Sequence, residues 1–145
     1  MSRESAKVWV DGGARGNPGE AGSGVVLELD TGEREEHWLY LGRRTNNVAE
    51  YVGLLAALAR ARDLGVGELR VLSDSLLLVE QMNGGYRVKA LHLQPLWLRA
   101  QQLARGFRRC VIEHVRREHN READALANRA IDTKTSTLPI PEGLP

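Results

Sequence analysis

The alternation of apolar and polar residues predicts that the chain opens with three short strands. Along residues 7–12 the two valines fall on one face of a pleated strand, and Trp9 and Asp11 fall on the other. Two further apolar runs, residues 23–29 and 35–41, flank an Asp-Thr-Gly tripeptide that is typical of a tight turn. We therefore expect a three-stranded antiparallel meander.

The first strand carries Asp11 into a glycine-rich stretch. Residues 13–22 contain several glycines and a proline, so we expect an irregular loop there. Gly12 and Gly13 have no Cβ and would let a substrate backbone come close to the carboxylate. An ordinary Asp-Gly turn explains the same residues if Asp11 stands alone.

A periodicity of about 3.6 residues predicts the helices that follow. The expected helices lie at residues 48–64, 76–82, 93–107 and 121–131. Capping oxygens precede three of them: the Thr-Asn-Asn sequence at 45–47, then Ser73 or Asp74, then Asn120. Glycines close the first two helices, and a proline is tolerated in the first turn of the third.

Two more strands are expected at residues 68–73 and 109–115. Each follows a helix, so each is expected to run parallel to an earlier strand. The element order predicts an α/β fold, a mixed five-stranded sheet with three antiparallel strands and then two parallel ones, flanked by helices. The length suits a single domain, residues 1–132, and the proline-rich residues 133–145 are expected to be a flexible C-terminal tail.

Composition and charge narrow the function classes only slightly. The 145 residues carry a formal net charge of +1, which excludes neither nucleic acid nor acidic ligands. Of the 20 basic residues 17 are arginines, and seven of these lie within residues 99–121, where they could make bidentate phosphate contacts. Codon bias and a solvated helix face explain the same arginines equally well.

Cysteine usage and hydropathy indicate the compartment. Cys110 is the only cysteine, so no internal disulfide is possible, and its apolar neighbours indicate a buried strand thiol. Residues 1–7 show no charged-then-apolar leader, and no apolar run approaches the roughly 18 residues of a membrane span. We expect a cytoplasmic protein that does not associate with membranes.

Four acids are expected at one edge of the sheet. Asp11 and Asp74 end strands that can be parallel neighbours, while Glu50 and Asp124 lie about one turn into helices that begin at the same edge. Side by side, four acids repel one another unless a cation intervenes, and oxygen ligands select Mg²⁺ or Mn²⁺. On pattern alone an equal alternative is that Glu50 and Asp124 merely complement helix dipoles, a placement worth ~0.3–1 kcal/mol.

Five short motifs occur along the chain in a characteristic order. They are Asp11-Gly12-Gly13, Gly16-Asn17-Pro18-Gly19, Thr45-Asn46-Asn47-Val48-Ala49-Glu50, Ser73-Asp74-Ser75 and Asn120-Arg121-Glu122-Ala123-Asp124-Ala125-Leu126-Ala127. As a set they strongly resemble type I ribonuclease H, over residues 7 to about 131.

The resemblance implies a metal-dependent nuclease. In the family, the carboxylates that match this chain's four acids bind two Mg²⁺ ions and hydrolyse the RNA strand of an RNA/DNA hybrid, leaving 5′-phosphate and 3′-hydroxyl ends. The matching residues are Asp11, Glu50, Asp74 and Asp124. The resemblance implies that Mn²⁺ can substitute for Mg²⁺, that the hybrid is the partner with duplex RNA as a second candidate, and that the protein is a monomer.

The resemblance also implies substrate contacts. The positions that match contacts to RNA 2′-hydroxyls are Gly12, Gly13, Asn17, Asn46 and Asn47. Thr45 matches a position that helps to hold a DNA-strand phosphate. His119 is a loose match to a mobile loop histidine that assists proton movement or product release, and Glu118 is the alternative occupant of that place.

Two departures from the family pattern concern the grip on the substrate. Leu76 stands where many members place a glutamine that contacts the substrate. The span between Asp74 and Cys110 is short and lacks the basic, tryptophan-rich protrusion of bacterial members. The chain resembles the subgroup without that protrusion, and the arginines of residues 99–117 are candidate substitutes for it.

Three functions are compatible with these motifs. The first is an endoribonuclease acting on RNA/DNA hybrids. The second is a hybrid-binding or duplex-RNA-binding module without efficient catalysis, which the retention of all four acids argues against. The third is another nuclease with the same fold, such as an exonuclease or a resolvase, which the motifs around Asn17 and Asn46 disfavour.

Overall fold

The computed structural model describes residues 4–145 and folds them into one mixed sheet covered by helices. The strands are β1 (Ser5–Arg15), β2 (Gly19–Leu29), β3 (Arg34–Arg44), β4 (Glu68–Ser73) and β5 (Arg109–His114). The helices are α1 (Asn46–Asp63), α2 (Leu76–Asn83), α3 (Gln94–Arg105) and α4 (Arg121–Thr133). The strand order is β3-β2-β1-β4-β5, antiparallel up to β1 and parallel from β1 to β5, which confirms the predicted sheet.

The loop predicted at residues 13–22 is wrong. β1 continues to Arg15 and β2 begins at Gly19, so most of this stretch is paired in the β1–β2 ladder. At Gly22, and at Gly24 just beyond the stretch, a glycine is needed because α4 packs directly against the sheet: a Cβ would lie 2.6 Å from the carbonyl oxygen of Ala127 at position 22 and 2.0 Å from that of Ala123 at position 24. A glycine inside a strand can mark such a close approach rather than a loop.

The two faces of the sheet build two apolar layers. Val8 and Val10 are fully buried in the larger layer, together with the buried face of α1. Trp9 points the other way and packs with Val26 and Leu126 beneath α4. The predicted alternation along the first strand is therefore confirmed. Asp11 lies within β1, directly after the last residue of that strand that pairs with β4.

The helices begin close to the predicted positions, but not every predicted side chain makes the capping hydrogen bond. Thr45 caps α1 as expected, its hydroxyl accepting a 3.3 Å hydrogen bond from the backbone N–H of Val48. The cap of α2 is Ser75, which accepts from Leu78 at 3.2 Å, so the prediction of Ser73 or Asp74 is wrong. Because Ser75 makes the capping hydrogen bond, the Asp74 carboxylate does not take part in it.

Residues 134–145 contain no helix or strand but lie against the rest of the chain. The Thr137 hydroxyl accepts a 2.9 Å hydrogen bond from the backbone N–H of Trp38, and the Ser136 hydroxyl accepts one of 2.9 Å from that of Tyr40. Both amides belong to β3, the outermost strand of the sheet. The flexibility of this segment and the domain boundary before it stay predictions.

The length and the hydropathy of the helices in residues 4–145 bear on whether one of them could span a membrane. None of the helices in this part of the chain is both long enough and apolar enough to cross a lipid bilayer.

Candidate active site

Four acids from different elements line one cleft of about 590 Å³. Asp11 lies on β1, Glu50 on the second turn of α1, Asp74 directly after β4, and Asp124 in the first turn of α4. Asp11 and Asp74 are brought together because the parallel pairing of β1 with β4 ends at Val10 and Ser73, the residues directly before them. The structure thus brings together all four carboxylates that the sequence singles out.

The electrostatics of the cleft are those of crowded like charges. Burial, and then the negative charges of Asp74 and Asp124, raise the pKa of Asp11 to about 8. The Asp124 carboxyl is also within hydrogen-bonding reach of Asp11. Burial likewise raises the pKa of Glu50 to about 7, against the opposing effect of a hydrogen bond from Ser75. A positive charge placed among these groups would favour their ionised forms.

The donor chemistry of the cleft fits a hard divalent cation. Every candidate ligand is a carboxylate or another oxygen, which suits Mg²⁺ or Mn²⁺ and not a soft metal. Within residues 4–145, no three carboxylate, histidine or cysteine side chains already form a ligand set. The four carboxylates repel one another unless a cation lies between them. Because no such ligand set is already formed, their assignment as metal ligands stays a prediction.

Gly12 does not serve the purpose that the sequence suggests. A Cβ at this position would lie 2.3 Å from the carbonyl carbon of Ala49 and 2.5 Å from the backbone nitrogen of Glu50. The close approach that requires a glycine is therefore that of α1, whose backbone at Ala49 and Glu50 packs against Gly12. A Cβ on Gly13 would meet nothing nearer than the side-chain oxygen of Asn46, 3.8 Å away, so the surface over this residue is open at the cleft.

The expected substrate-contact residues lie at the same cleft, with one exception. Gly12, Gly13, Asn17, Asn46 and Asn47 all line it. Thr45 does not line it but caps α1 at its mouth. Asn46 has a structural task as well, because its side-chain oxygen accepts a 2.7 Å hydrogen bond from the backbone N–H of Ala14.

The loop before α4 presents a different side chain to the cleft than the sequence suggests. Arg117 lines the cleft with the four acids, whereas His119 and Glu118 line a neighbouring pocket beside Trp9. A short 3-10 turn, Arg117–His119, directs these side chains to different sides. A catalytic role for His119 stays a prediction that this placement does not support.

The sequence reasoning overlooked Arg117, Ser75 and Asn128 as cleft residues. Ser75 belonged to a quoted motif, and its place next to Asp74 was a usable signal. No local pattern identifies Arg117 among the many arginines.

The departures from the family pattern are visible on the surface. Leu76 is 48% exposed at the start of α2, where no hydrogen bond to a base edge is possible from its side chain. In the described chain the span between β4 and β5 holds only α2, an irregular segment and α3. This agrees with the absence of a protrusion.

Comparisons with known proteins agree with this architecture. A family described as "Reverse transcriptase-like" matches residues 9–130. The chain is 50% identical over 127 residues to "Bifunctional protein Rv2228c" of Mycobacterium tuberculosis, which covers 86% of this chain and 35% of that protein. It is 42% identical over 126 residues to "Ribonuclease HI" of Halobacterium salinarum, which covers 86% of this chain and 63% of that protein.

A solved structure of a ribonuclease H is also similar to this chain. "LC11-RNase H1 in complex with RNA/DNA hybrid" superposes with a TM-score of 0.83 at 39% identity, covering 89% of this chain and 98% of that one. The chain thus spans about a third of the length of its mycobacterial relatives and nearly all of this compact structural neighbour.

Proposed function

Since the chain belongs to the ribonuclease H family, as a type 1 member, we propose that it cuts the RNA strand of RNA/DNA hybrids internally, leaving 5′-phosphate and 3′-hydroxyl ends. The observation that carries the proposal is the convergence of four acids from four segments on one cleft: Asp11, Glu50, Asp74 and Asp124. The neighbour solved with an RNA/DNA hybrid supports the choice of substrate.

The four carboxylates are proposed to hold two Mg²⁺ ions, with Mn²⁺ as a substitute. When bound, the ions would lower the pKa of the attacking water and neutralise the charge that develops on the phosphate and the leaving 3′ oxygen. The chain's own contribution is to hold four oxygen donors in one partly buried cleft, where burial strengthens their attraction for a cation. Arg117, at the rim of the same cleft, is proposed to contact a phosphate oxygen.

Selection of RNA over DNA is proposed to come from the asparagine wall of the cleft. Asn17, Asn46 and Asn47 present amide groups there, and the surface over Gly13 is open. Amides can donate to and accept from a 2′-hydroxyl, the group that distinguishes an RNA strand from a DNA strand. A DNA duplex would leave these groups without partners.

The experiment that tests this function compares substrates and one pair of variants. End-labelled RNA/DNA hybrid, duplex RNA, duplex DNA and single strands are incubated with Mg²⁺ or with EDTA, and the cuts are mapped. We expect internal cuts in the RNA of the hybrid, and only with the metal. If one ligand contributes ~4 kcal/mol to transition-state stabilisation, Asp74→Asn should lower the rate roughly a thousandfold.

Asp63→Asn is the matched control. Asp63 is an exposed aspartate at the end of α1 and pairs with its neighbour Arg62. This variant should cleave at the wild-type rate. Wild-type cleavage by Asp74→Asn at saturating Mg²⁺ would contradict the proposed metal site, and cuts in every substrate would contradict the proposed specificity.

Duplex RNA as a second partner, a monomeric state and a cytoplasmic location stay predictions. The substrate panel tests the first, and analytical ultracentrifugation tests the second.

A further inference from the structure

Asn120 is a buried polar residue to which the proposed mechanism gives no role. Only 1% of its surface is exposed. Its place at the start of α4 predicts a side-chain cap, but it makes no cap hydrogen bond. Instead its side-chain Nδ2 donates a 2.9 Å hydrogen bond to the backbone carbonyl of Val10, far away along the chain. Asn120 therefore holds the predicted N-cap position of α4, but the predicted capping hydrogen bond from its side chain is wrong.

The acceptor of this hydrogen bond directly precedes Asp11. The parallel pairing of β1 with β4 ends at the Val10–Ser73 pair, so Asp11 lies just beyond the last position that β4 holds. On the other side β2 still pairs with Asp11, so the Asn120 amide restrains the chain on the side where the pairing with β4 has ended.

Asn120 also belongs to the turn that carries Asp124. Its backbone carbonyl oxygen accepts a 3.1 Å hydrogen bond from the backbone N–H of Asp124. This is the first backbone hydrogen bond of α4. Residues four apart share one face of a helix. Asp124 in turn lies within hydrogen-bonding reach of Asp11, so Asn120 is joined to both members of this acid pair, to one through Val10 and to the other through the helix turn.

The side-chain oxygen of Asn120 shows that the donor is what matters. This Oδ1 is buried and, among the residues described, has no hydrogen-bond partner. A buried amide oxygen without a partner destabilises a fold, and a leucine of nearly the same shape would avoid that penalty. Packing alone therefore does not explain an asparagine here, whereas the bond to Val10 does.

We propose that Asn120 is a positioning residue that fixes the separation of the Asp11 and Asp124 carboxylates by tying Val10 to the first turn of α4. The inference rests on the proposed function because it concerns the same cleft. Without the tie the two acids can move apart, so the cleft should hold a divalent cation less tightly. The asparagines that are proposed to bind RNA lie in the turn between β1 and β2 and on α1, so binding of the hybrid should be unaffected.

The test compares Asn120→Leu with the wild type in the full chain. Mn²⁺ affinity is measured from the electron paramagnetic resonance signal of the free ion, and kcat and KM are measured on an RNA/DNA hybrid. We expect Mn²⁺ affinity and kcat to fall roughly 10- to 100-fold, as for other residues that orient metal ligands. KM should stay within about twofold, since substrate binding is not altered.

Leu126→Ala is the control for a general loss of stability. Leu126 lies on the same helix and is buried beneath it, away from the cleft. This variant should unfold at a lower temperature and keep wild-type Mn²⁺ affinity. Circular dichroism checks the fold of both variants, and if Asn120→Leu does not fold, the smaller Asn120→Ala, which also lacks the donor, replaces it.

Wild-type Mn²⁺ affinity and kcat in the folded Asn120 variant would overturn the proposal, and so would an equal loss of affinity in Leu126→Ala. A wild-type chain that binds Mn²⁺ but does not cut hybrid would contradict the proposed function alone, because the comparison of affinities still tests the positioning role. A wild-type chain that binds no Mn²⁺ would contradict both.

Discussion

The side-chain oxygen of Asn17 accepts a 3.0 Å hydrogen bond from the backbone N–H of Asn46, which joins the β1–β2 turn to the first turn of α1. The side-chain oxygen of Asn46 in turn accepts a hydrogen bond from the backbone N–H of Ala14 on β1. Two of the residues that are proposed to contact RNA therefore also hold two walls of the cleft together. Asn47 lines the same cleft and makes neither of these bonds.

Asn46→Ala and Asn47→Ala are expected to separate these two tasks. Loss of the Ala14–Asn46 hydrogen bond should lower the free energy of unfolding by about 1 kcal/mol in Asn46→Ala, and Asn47→Ala should leave it nearly unchanged. Asn47→Ala should instead weaken the preference for hybrid over DNA duplex, because a 2′-hydroxyl contact is lost. Thermal unfolding measures the first effect, and competition of DNA duplex against hybrid cleavage measures the second. Unchanged discrimination in Asn47→Ala would refute its role.

The raised pKa of Asp11 predicts how stability changes with pH in the metal-free protein. Its value of about 8 in the folded chain lies above that of an unfolded aspartate, so the folded state binds this proton more tightly. The contribution to stability is complete below roughly pH 4 and is lost as the pH rises through 8. Asp11→Asn should therefore match the wild type at low pH and be more stable than it at pH 8, by about 1 kcal/mol or more.

Melting temperatures in EDTA between pH 4 and pH 8.5 measure this difference, which should reach at least about 2–4 °C. Asp63→Asn is the control, because Asp63 lies at the exposed end of α1. Parallel curves for wild type and Asp11→Asn would show that the carboxyl does not experience the crowding described.

His119→Ala is expected to lower kcat by less than tenfold. The histidine lines the pocket beside Trp9 and not the cleft of the four acids, so it is poorly placed to move a proton at the reacting phosphate. An essential general acid or base would cost ~10² to 10⁴ in turnover. The measurement is kcat from pH 6 to pH 9 for wild type, His119→Ala and Glu118→Gln. A loss comparable to that of Asp74→Asn would assign His119 to the chemistry.

The double variant Ser136→Ala/Thr137→Val should loosen the edge of the sheet. The two hydroxyls accept hydrogen bonds from the backbone amides of Trp38 and Tyr40, which face away from β2. Their loss should lower the free energy of unfolding by about 1–2 kcal/mol and speed hydrogen exchange at both amides. Thr31→Val, in the turn between β2 and β3, is the control. Unchanged exchange at Trp38 and Tyr40 would show that the segment does not protect this strand.

Much of the fold could be predicted from the sequence because its signals are local. Strand alternation and helical periodicity identified the elements, and the carboxyl ends of parallel strands necessarily share an edge. From that rule alone Asp11 and Asp74 were expected to meet, and they do.

The errors arose where a distant part of the chain decides. The glycines of residues 13–22 indicate a loop by local propensity, but α4 packs against that region and requires strand glycines there. Asn120 has the residue type and place of a helix cap, yet its donor meets Val10. The direction of the His119 side chain likewise depends on a three-residue 3-10 turn in the loop before α4. The hydrophobic periodicity of the sequence does not reveal such a turn.

The contact of Gly24 with the backbone of α4 has a genetic consequence. All glycine codons begin with two guanines, and every missense change in them adds a side chain. At position 24 that side chain would meet Ala123, the residue just before Asp124. No missense allele at this codon is conservative, so a screen for null alleles should recover position 24 alongside the four acids, although it touches no substrate.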